Sequence, residues 1–200
     1  MHSRFLIPGA IALVLTSAPP AAADEDRTVW RVFVADQESG RVTSFDMAAP
    51  DRRWQFDLTG PSRLYVSPTG AAVVAVQSDH DRVDFLSSGV TLATHGDHAD
   101  IEVADPARLD ASLSGPRPFH VVTHAGTTSV NFDKGGYVAL MSDADILEGV
   151  AVETFPQARA HHGFAVPMGD YIVSSVASDA PADGDGAPPR GGIQAFNRAR

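Results

Sequence analysis

Histidine and aspartate cluster at three places in this 200-residue sequence. The densest cluster is the run HGDHAD at 95–100, where two imidazoles and two carboxylates fall within six residues. The other two are His120 with His124, and His161 with His162. Imidazole nitrogen and carboxylate oxygen bind zinc at about 2.0–2.2 Å, and a glycine between ligands lets the backbone fold tightly around a metal. The sequence therefore predicts a transition-metal site.

Other kinds of chemistry lack the residues they need. The absence of cysteine excludes disulfides, a thiolate metal site and a Cys nucleophile. No Gly-x-Ser-x-Gly, phosphate-binding loop or His-Glu-x-x-His motif occurs. The net charge of −10 argues against nucleic acid and anionic membranes as partners, and favours accumulation of cations. We interpret His80, in a turn at 77–81, as solvated.

The N-terminus has the features of a secretory signal. Residues 1–23 combine a basic Arg4, an apolar run at 5–14 and small residues ending at Ala23. A short acidic segment follows at 24–28. The apolar run is too short to span a bilayer, and no later segment is apolar enough. We therefore expect a periplasmic protein without membrane insertion after signal cleavage.

Short strands and tight turns repeat along residues 29–200. The strand–turn–strand units have turns that contain Gly70, Gly126 and Gly169, which lie 56 and 43 residues apart. Propeller blades repeat at about 40–50 residues and contain four antiparallel strands. A β-sandwich is the competing architecture, but it has no repeat of this length. The sequence predicts an all-β fold: a partial β-propeller of about four four-stranded blades.

Three segments depart from this repeat. Residues 93–118 are interpreted as an irregular, ligand-rich stretch, and residues 177–192 as a flexible surface insertion rich in Asp, Ala, Pro and Gly. Residues 143–149 are expected to form one turn of helix, capped by Ser142 or Asp143. The chain stops in what resembles the middle of a blade, so we expect further blades to be missing.

The propeller geometry decides which histidines can share a metal. His120 and His124 are four residues apart on one predicted strand, hence about 13 Å apart at ~3.3 Å per residue. The starts of inner strands converge at one end of a propeller channel, so we expect His120 to meet His161 or His162 there, beside the loop at 95–100. This arrangement supplies three or four ligands, enough for tetrahedral zinc. The candidate ligands are His95, His98, Asp100, His120, His124, His161 and His162.

The segments HGDHADI at 95–101, PFHVVTH at 118–124 and HHGFAVP at 161–167 occur in this order. With them the sequence resembles the AztD-type periplasmic zinc metallochaperones, from about Arg31 to the last residue. The resemblance implies a β-propeller that binds zinc and passes it to the zinc-binding protein of an ABC importer. On this reading the seven candidate ligands match the histidine-bearing segments of the family. Family members are longer, so the resemblance also implies truncation at the C-terminus.

Three functions remain open at this point. The first is a non-enzymatic metal carrier. The second is a metal-dependent propeller hydrolase of the lactonase kind, which needs an open coordination position that holds water. The third is an interaction scaffold with incidental histidines. Imidazole-rich sites also suit copper and nickel, so residue types alone do not select zinc.

Overall fold

A computed structural model describes residues 28–96, 98–149, 152–178 and 191–198. These ranges contain sixteen β-strands, one α-helix and one 3-10 helix. The expected signal at 1–23 and most of the acidic segment, residues 24–27, lie outside the described residues. Among the residues that are described, no helix has the length and apolar character needed to cross a membrane.

Fourteen of the strands form four antiparallel sheets that follow one another along the chain. The first sheet contains β1 (Arg31–Ala35), β2 (Arg41–Asp46) and β3 (Ala49–Asp57). The second contains β4 (Arg63–Val66), β5 (Ala72–Gln77), β6 (Arg82–Ser87) and β9 (Ala107–Ser114). The third contains β10 (Pro118–His124), β11 (Thr127–Phe132), β12 (Tyr137–Ser142) and β13 (Glu153–Pro156). The fourth contains β14 (Ala165–Met168), β15 (Tyr171–Val176) and β16 (Gly192–Asn197).

Each sheet contacts the next through its first strands. Strand β1 lies against β4, β5 lies against β10, and both β10 and β11 lie against β14. The predicted all-β class of antiparallel sheets is confirmed, and this succession of meandering sheets is consistent with the blades of a propeller. The prediction of four strands in every blade was too uniform, because within the described ranges the first and fourth sheets have three strands each.

Relative to a four-stranded blade, the first and fourth sheets each lack one strand, at opposite ends of the strand order. The turn at 36–40 before β2 corresponds to the turn at 78–81 before β6, because both lead into an Arg-Val pair, at 41–42 and 82–83. Strand β1 is therefore equivalent to β5, the second strand of its blade. In the described part of the chain, the first sheet thus has no innermost strand and the fourth has no outermost one.

The glycines of the predicted repeat occupy equivalent turns. Gly70, Gly126 and Gly169 have positive φ angles of 78°, 76° and 58°. A Cβ atom built on any of them would meet no atom within 4 Å. Glycine is therefore favoured there by the left-handed backbone of the turn rather than by crowding.

Residues 93–118, interpreted as irregular, are mostly strand. Strands β7 (Val90–His95) and β8 (His98–Val103) form a two-stranded hairpin inserted between β6 and β9, the outer strand of the second blade. The error arose because β9 mixes exposed and half-buried residues and has no buried one, which weakens its apolar signal. At the predicted insertion, residues 179–190 lie outside the described part and Gly192 already belongs to β16.

The predicted helical turn is present as α1 (Asp143–Glu148), preceded by Ser142. The Ser142 hydroxyl accepts a hydrogen bond from the Asp145 backbone N–H, and the Asp145 carboxylate accepts one from the Ser142 backbone N–H. This capping box satisfies two donors at the helix start. The helix lies against β5, β9 and β12, where Ile146 joins a core that includes Phe85 and Phe132.

Candidate metal centre

The candidate centre lies where the third and fourth sheets meet. His120 is the third residue of β10, and the pairing of β10 with β11 shifts register between Pro118 and Val121. Such an irregularity re-aims side chains that would otherwise alternate between the two faces of a strand. His162 lies in the segment that leads from β13 into β14. Sequence-distant segments of two neighbouring blades thus supply the two imidazoles.

The rings of these two histidines face each other through equivalent atoms. Nε2 of His120 lies 3.1 Å from Nε2 of His162, and the ring centroids are 4.5 Å apart. Two nitrogens bound to one tetrahedral zinc at ~2.05 Å are separated by about 3.3 Å. The spacing of the pair therefore fits two ligands of a single ion.

A buried carboxylate orients His162. Its Nδ1 lies 2.5 Å from Oδ2 of Asp133, whose side chain is 5% exposed. Because a carboxylate only accepts hydrogen bonds, Nδ1 carries the proton and Nε2 presents its lone pair toward His120. Carboxylate–histidine pairs of this kind fix the tautomer and orientation of metal ligands.

Asp133 is itself held by a chain of buried amides. Its Oδ1 accepts a hydrogen bond from Nδ2 of Asn131 at 2.6 Å. Oδ1 of Asn131 accepts one from Nε2 of Gln157 at 2.7 Å, and the same amide nitrogen donates to Oγ of Ser174 at 2.7 Å. The roles of the Asn131 amide and of Nε2 of Gln157 follow from the Asp133 carboxylate, whereas Oε1 of Gln157 has no hydrogen-bond partner among the described residues.

An aromatic ring and a cation complete the surroundings of the pair. The Phe119 ring meets His162 edge-to-face at 4.5 Å and His120 at 5.1 Å. Burial, the neighbouring His162 and the charge of Arg63 lower the pKa of His120 below 6.5, and together they outweigh the opposite effect of Asp133. The neutral imidazole, which is the form that binds metals, is therefore favoured at His120.

His161, adjacent to His162 in sequence, points elsewhere. Its Nδ1 donates to the Arg159 carbonyl at 2.8 Å, and its Nε2 lies 2.9 Å from Oγ of Ser175. Gly163 makes this contact possible, because a Cβ atom at this position would lie 2.3 Å from both the His161 ring and the Ser175 hydroxyl. Of the two neighbouring histidines, His162 faces His120 and His161 is bonded to β15.

The remaining candidate ligands lie on other parts of the fold. His124 is exposed at the far end of β10, opposite Thr127. His95 and His98 pair across the tip of the β7–β8 hairpin, and Asp100 pairs with Ala93 further down. The side chains of His95 and His98 are outside the described part of the structure, as is all of Asp97. A role for these residues in metal binding stays a prediction.

No group of three or more metal-binding side chains is assembled among the described residues. The described side chains thus bring together two imidazoles, with Asp133 behind one of them, instead of the expected three or four ligands. Sequence reasoning missed Asp133 because it lies in the turn Asp-Lys-Gly at 133–135, outside the three histidine clusters. Its position directly after a fully buried strand was the available signal.

Comparisons with known proteins give one consistent set of relatives. The curated zinc chaperone AztD of Citrobacter koseri is 35% identical over 178 residues, which make up 88% of this chain and 42% of AztD. A structure of apo AztD from the same organism superposes with a TM-score of 0.75 at 29% identity, covering 86% of this chain and 46% of that one. A crystal structure of C. koseri AztD gives 0.77 at 30% identity, with 86% and 45% covered. The chain thus spans less than half the length of these relatives, and no protein-family model matches it.

Proposed function

We propose that this chain is a zinc-binding carrier, because it is 35% identical to the zinc chaperone AztD of Citrobacter koseri over 178 residues. The observation that carries the proposal is the convergence of His120 and His162, whose Nε2 atoms are 3.1 Å apart. The proposed role is binding and release of zinc, without catalysis. Zinc is the cargo, and it is held by neutral imidazoles that exchange more readily than a closed set of thiolates.

The donor set is compatible with zinc, and the similarity to a zinc chaperone favours zinc over copper and nickel, which also suit imidazole. Nitrogen and oxygen donors suit Zn²⁺, and Asp133 accepts a hydrogen bond from the Nδ1–H of His162, which holds the ring with Nε2 toward His120. Two imidazoles leave positions open on a four-coordinate ion. The β7–β8 hairpin that carries His95, His98 and Asp100 joins the second sheet at the Ser87 end of β6, whereas Arg117 and the histidine pair lie at the Asp81 end, so the described fold does not bring this hairpin to the open positions. His124 and His161 contribute less in this scheme.

The proposed location is the periplasm, reached through a signal at residues 1–23. The proposed partner is the zinc-binding protein of an ABC importer, which receives the ion. Both parts of the proposal rest on the family and on the N-terminal sequence. Nucleic acid does not enter the scheme, because the net charge is −10. Membrane insertion does not enter it either, since the apolar run at 5–14 is too short to span a bilayer.

Native mass spectrometry of the purified protein, with and without zinc, tests the proposal directly. We expect one tightly held zinc ion per chain, and a loss of affinity of more than about a hundredfold in His120→Ala and His162→Ala. His80→Ala is the matched control, because His80 is exposed and its ring lies over Gly60. A wild-type protein that binds no zinc in stoichiometric amount would overturn the proposal.

Thermal unfolding supplies an independent readout. A ligand that binds only the folded state stabilises it by about 2.7 kcal/mol at a hundred times its Kd. We expect zinc to raise the Tm of the wild type and of His80→Ala, and a chelator to reverse the increase. The Tm of the double variant His120→Ala/His162→Ala should not respond to zinc. An interaction scaffold with incidental histidines predicts no response in any of the three.

A further inference from the structure

A pocket of about 610 Å³ opens beside the histidine pair. Its walls come from three elements: the loop before β10 with Arg117 and Phe119, the turn between β11 and β12 with Asp133 and Lys134, and the segment before β14 with His162. The volume is within the range of sites that bind a ligand larger than a single small ion. The pocket therefore has room for a segment of another molecule beside the imidazoles.

Positive charge surrounds this pocket in an otherwise acidic protein. Arg63 lies with its Cζ 4.1 Å from the centroid of the Phe119 ring, and the Cζ of Arg117 is 5.7 Å from it. Phe119 in turn touches both imidazoles. Lys134, the only lysine in the sequence, lines the same pocket. Three cations thus lie around a site whose protein carries a net charge of −10.

These three cations differ from most other basic residues of the fold. Six arginines form ion pairs with carboxylates, namely Arg31, Arg41, Arg52, Arg82, Arg108 and Arg198. Arg63, Arg117 and Lys134 are all exposed, and in the described ranges none of them pairs with a carboxylate. The carboxylate that lines the pocket, Asp133, is already engaged by Asn131 and His162. Three cations thus stand against two carboxylates, Asp133 in the lining and Asp81 on the Arg117 backbone N–H, so the pocket carries an excess of positive charge.

The backbone of Arg117 is fixed in an uncommon conformation. Its φ angle is +53°, in the left-handed region that non-glycine residues seldom adopt. Its N–H donates to the Asp81 carboxylate at 2.7 Å, and its carbonyl accepts from the Asp133 N–H at 2.9 Å. Both bonds hold the residue at the pocket, although the left-handed backbone costs energy. This pre-organises the guanidinium stem next to the imidazole pair.

From these observations we propose that the pocket is a docking surface for an acidic peptide segment of a protein partner. Its carboxylates would pair with Arg63, Arg117 and Lys134. One of them would then lie next to the atoms that hold the metal, where oxygen is a normal zinc donor. A single small anion explains less, because the three cations come from three separate elements. Donation of a carboxylate to the metal rests on the proposed zinc function, whereas docking of the acidic segment does not.

Fluorescence anisotropy with a labelled polyglutamate peptide tests the docking, using the full chain with and without zinc. We expect binding that weakens as salt increases, and no binding of a polyglutamine peptide. Exposed ion pairs contribute modestly one by one, but Arg117→Glu/Lys134→Glu removes two attractions and adds two repulsions. The double variant should therefore bind polyglutamate at least about tenfold more weakly. Arg53→Glu is the control for charge, because Arg53 is exposed on β3 and carries no ion pair among the described residues; it should change binding less than about twofold.

The outcomes separate this proposal from the zinc proposal. Binding of zinc without binding of polyglutamate would overturn the docking surface and leave the carrier intact. A protein that binds polyglutamate but does not bind zinc would overturn the carrier and leave the docking surface intact. Equal weakening by Arg53→Glu would show that net charge alone drives the peptide to the protein, and would overturn the docking surface. If acetate competes as strongly, per carboxylate, as unlabelled polyglutamate does, the pocket is a site for small anions. That result would also overturn the docking surface.

Discussion

Replacing Asp133 by Asn should weaken zinc binding without removing a candidate ligand. Both carboxylate oxygens accept hydrogen bonds, from Asn131 at 2.6 Å and from His162 at 2.5 Å. An asparagine offers one acceptor and one donor, so one of the two contacts becomes donor against donor. Asn131 resists a flip because Gln157 donates to its oxygen. His162 must therefore change tautomer and carry its proton on Nε2, the atom that faces His120.

The expected size of the effect follows from the role of Asp133. Loss of a partner that orients a metal ligand typically costs 10- to 100-fold in affinity, which corresponds to about 1.4–2.8 kcal/mol. The variant should also lose about 1.5–3 kcal/mol of folding free energy with its charge-assisted hydrogen bonds. Zinc affinity is measured by competition with a chelator, and the His162 tautomer by the ¹⁵N shifts of the ring.

Asp143→Asn is the matched control for this experiment. Asp143 is also a buried carboxylate, and its Oδ2 accepts from the Ser67 hydroxyl at 2.8 Å and from the Thr69 N–H at 3.0 Å. It follows β12 directly, at the opposite end of the third sheet from Asp133. The control should lower the Tm by less, because an asparagine can keep its oxygen toward Ser67 and Thr69 while its NH2 takes the place of the unpaired Oδ1, and it should leave zinc affinity unchanged. An Asp133→Asn protein with normal zinc affinity, or with the wild-type tautomer of His162, would refute the reasoning.

Three further predictions concern pH, the adjacent histidines and the helix cap. Because the pKa of His120 is lowered in the fold, facing His162, Asp133 and Arg63, the unfolded chain binds this proton more readily below pH 6.5. The free energy of unfolding should decrease as pH falls below 6.5, and urea titrations of His120→Gln should show a smaller decrease. His161→Ala should reduce zinc affinity far less than His162→Ala, since His161 is bonded to Arg159 and Ser175; equal losses by calorimetry would contradict the geometry. Ser142→Ala removes the capping box of α1 and should cost about 1 kcal/mol, seen as a lower Tm with unchanged zinc binding.

Much of the fold was accessible from local sequence signals. The glycines at 70, 126 and 169 marked equivalent turns, because a left-handed backbone favours glycine. The capping of α1 by Ser142 was equally local. The β7–β8 hairpin was missed, because both strands carry polar and charged residues that were interpreted as ligands in a loop. As long as the partner strand is unknown, the alternation of polar and apolar residues in such a segment cannot be distinguished from the composition of a polar loop.

The candidate site was accessible only in part, for a different reason. The blade repeat places His120 next to the segment of His161 and His162, and the structure brings the rings of His120 and His162 together. Whether His161 or His162 faces His120 depends on contacts with Gly163, Ser175 and Asp133. Ser175 and Asp133 are distant in sequence, so no local pattern signals these contacts. The buried amides behind Asp133 gave no motif. Their roles follow from hydrogen bonds between blades.

The location of the histidine pair on two different blades has a mechanical consequence. His120 belongs to the third sheet and His162 precedes the fourth, 42 residues later. An ion shared by both rings would act as a removable cross-link. A permanent link across a loop of this length restricts the unfolded chain by about 4 kcal/mol, on the entropy model used for disulfides. Binding of the ion would therefore hold the third and fourth sheets together, and its release would let them separate more easily. Amide hydrogen exchange along β14 and β15 should therefore be slower when the ion is bound than when it is absent.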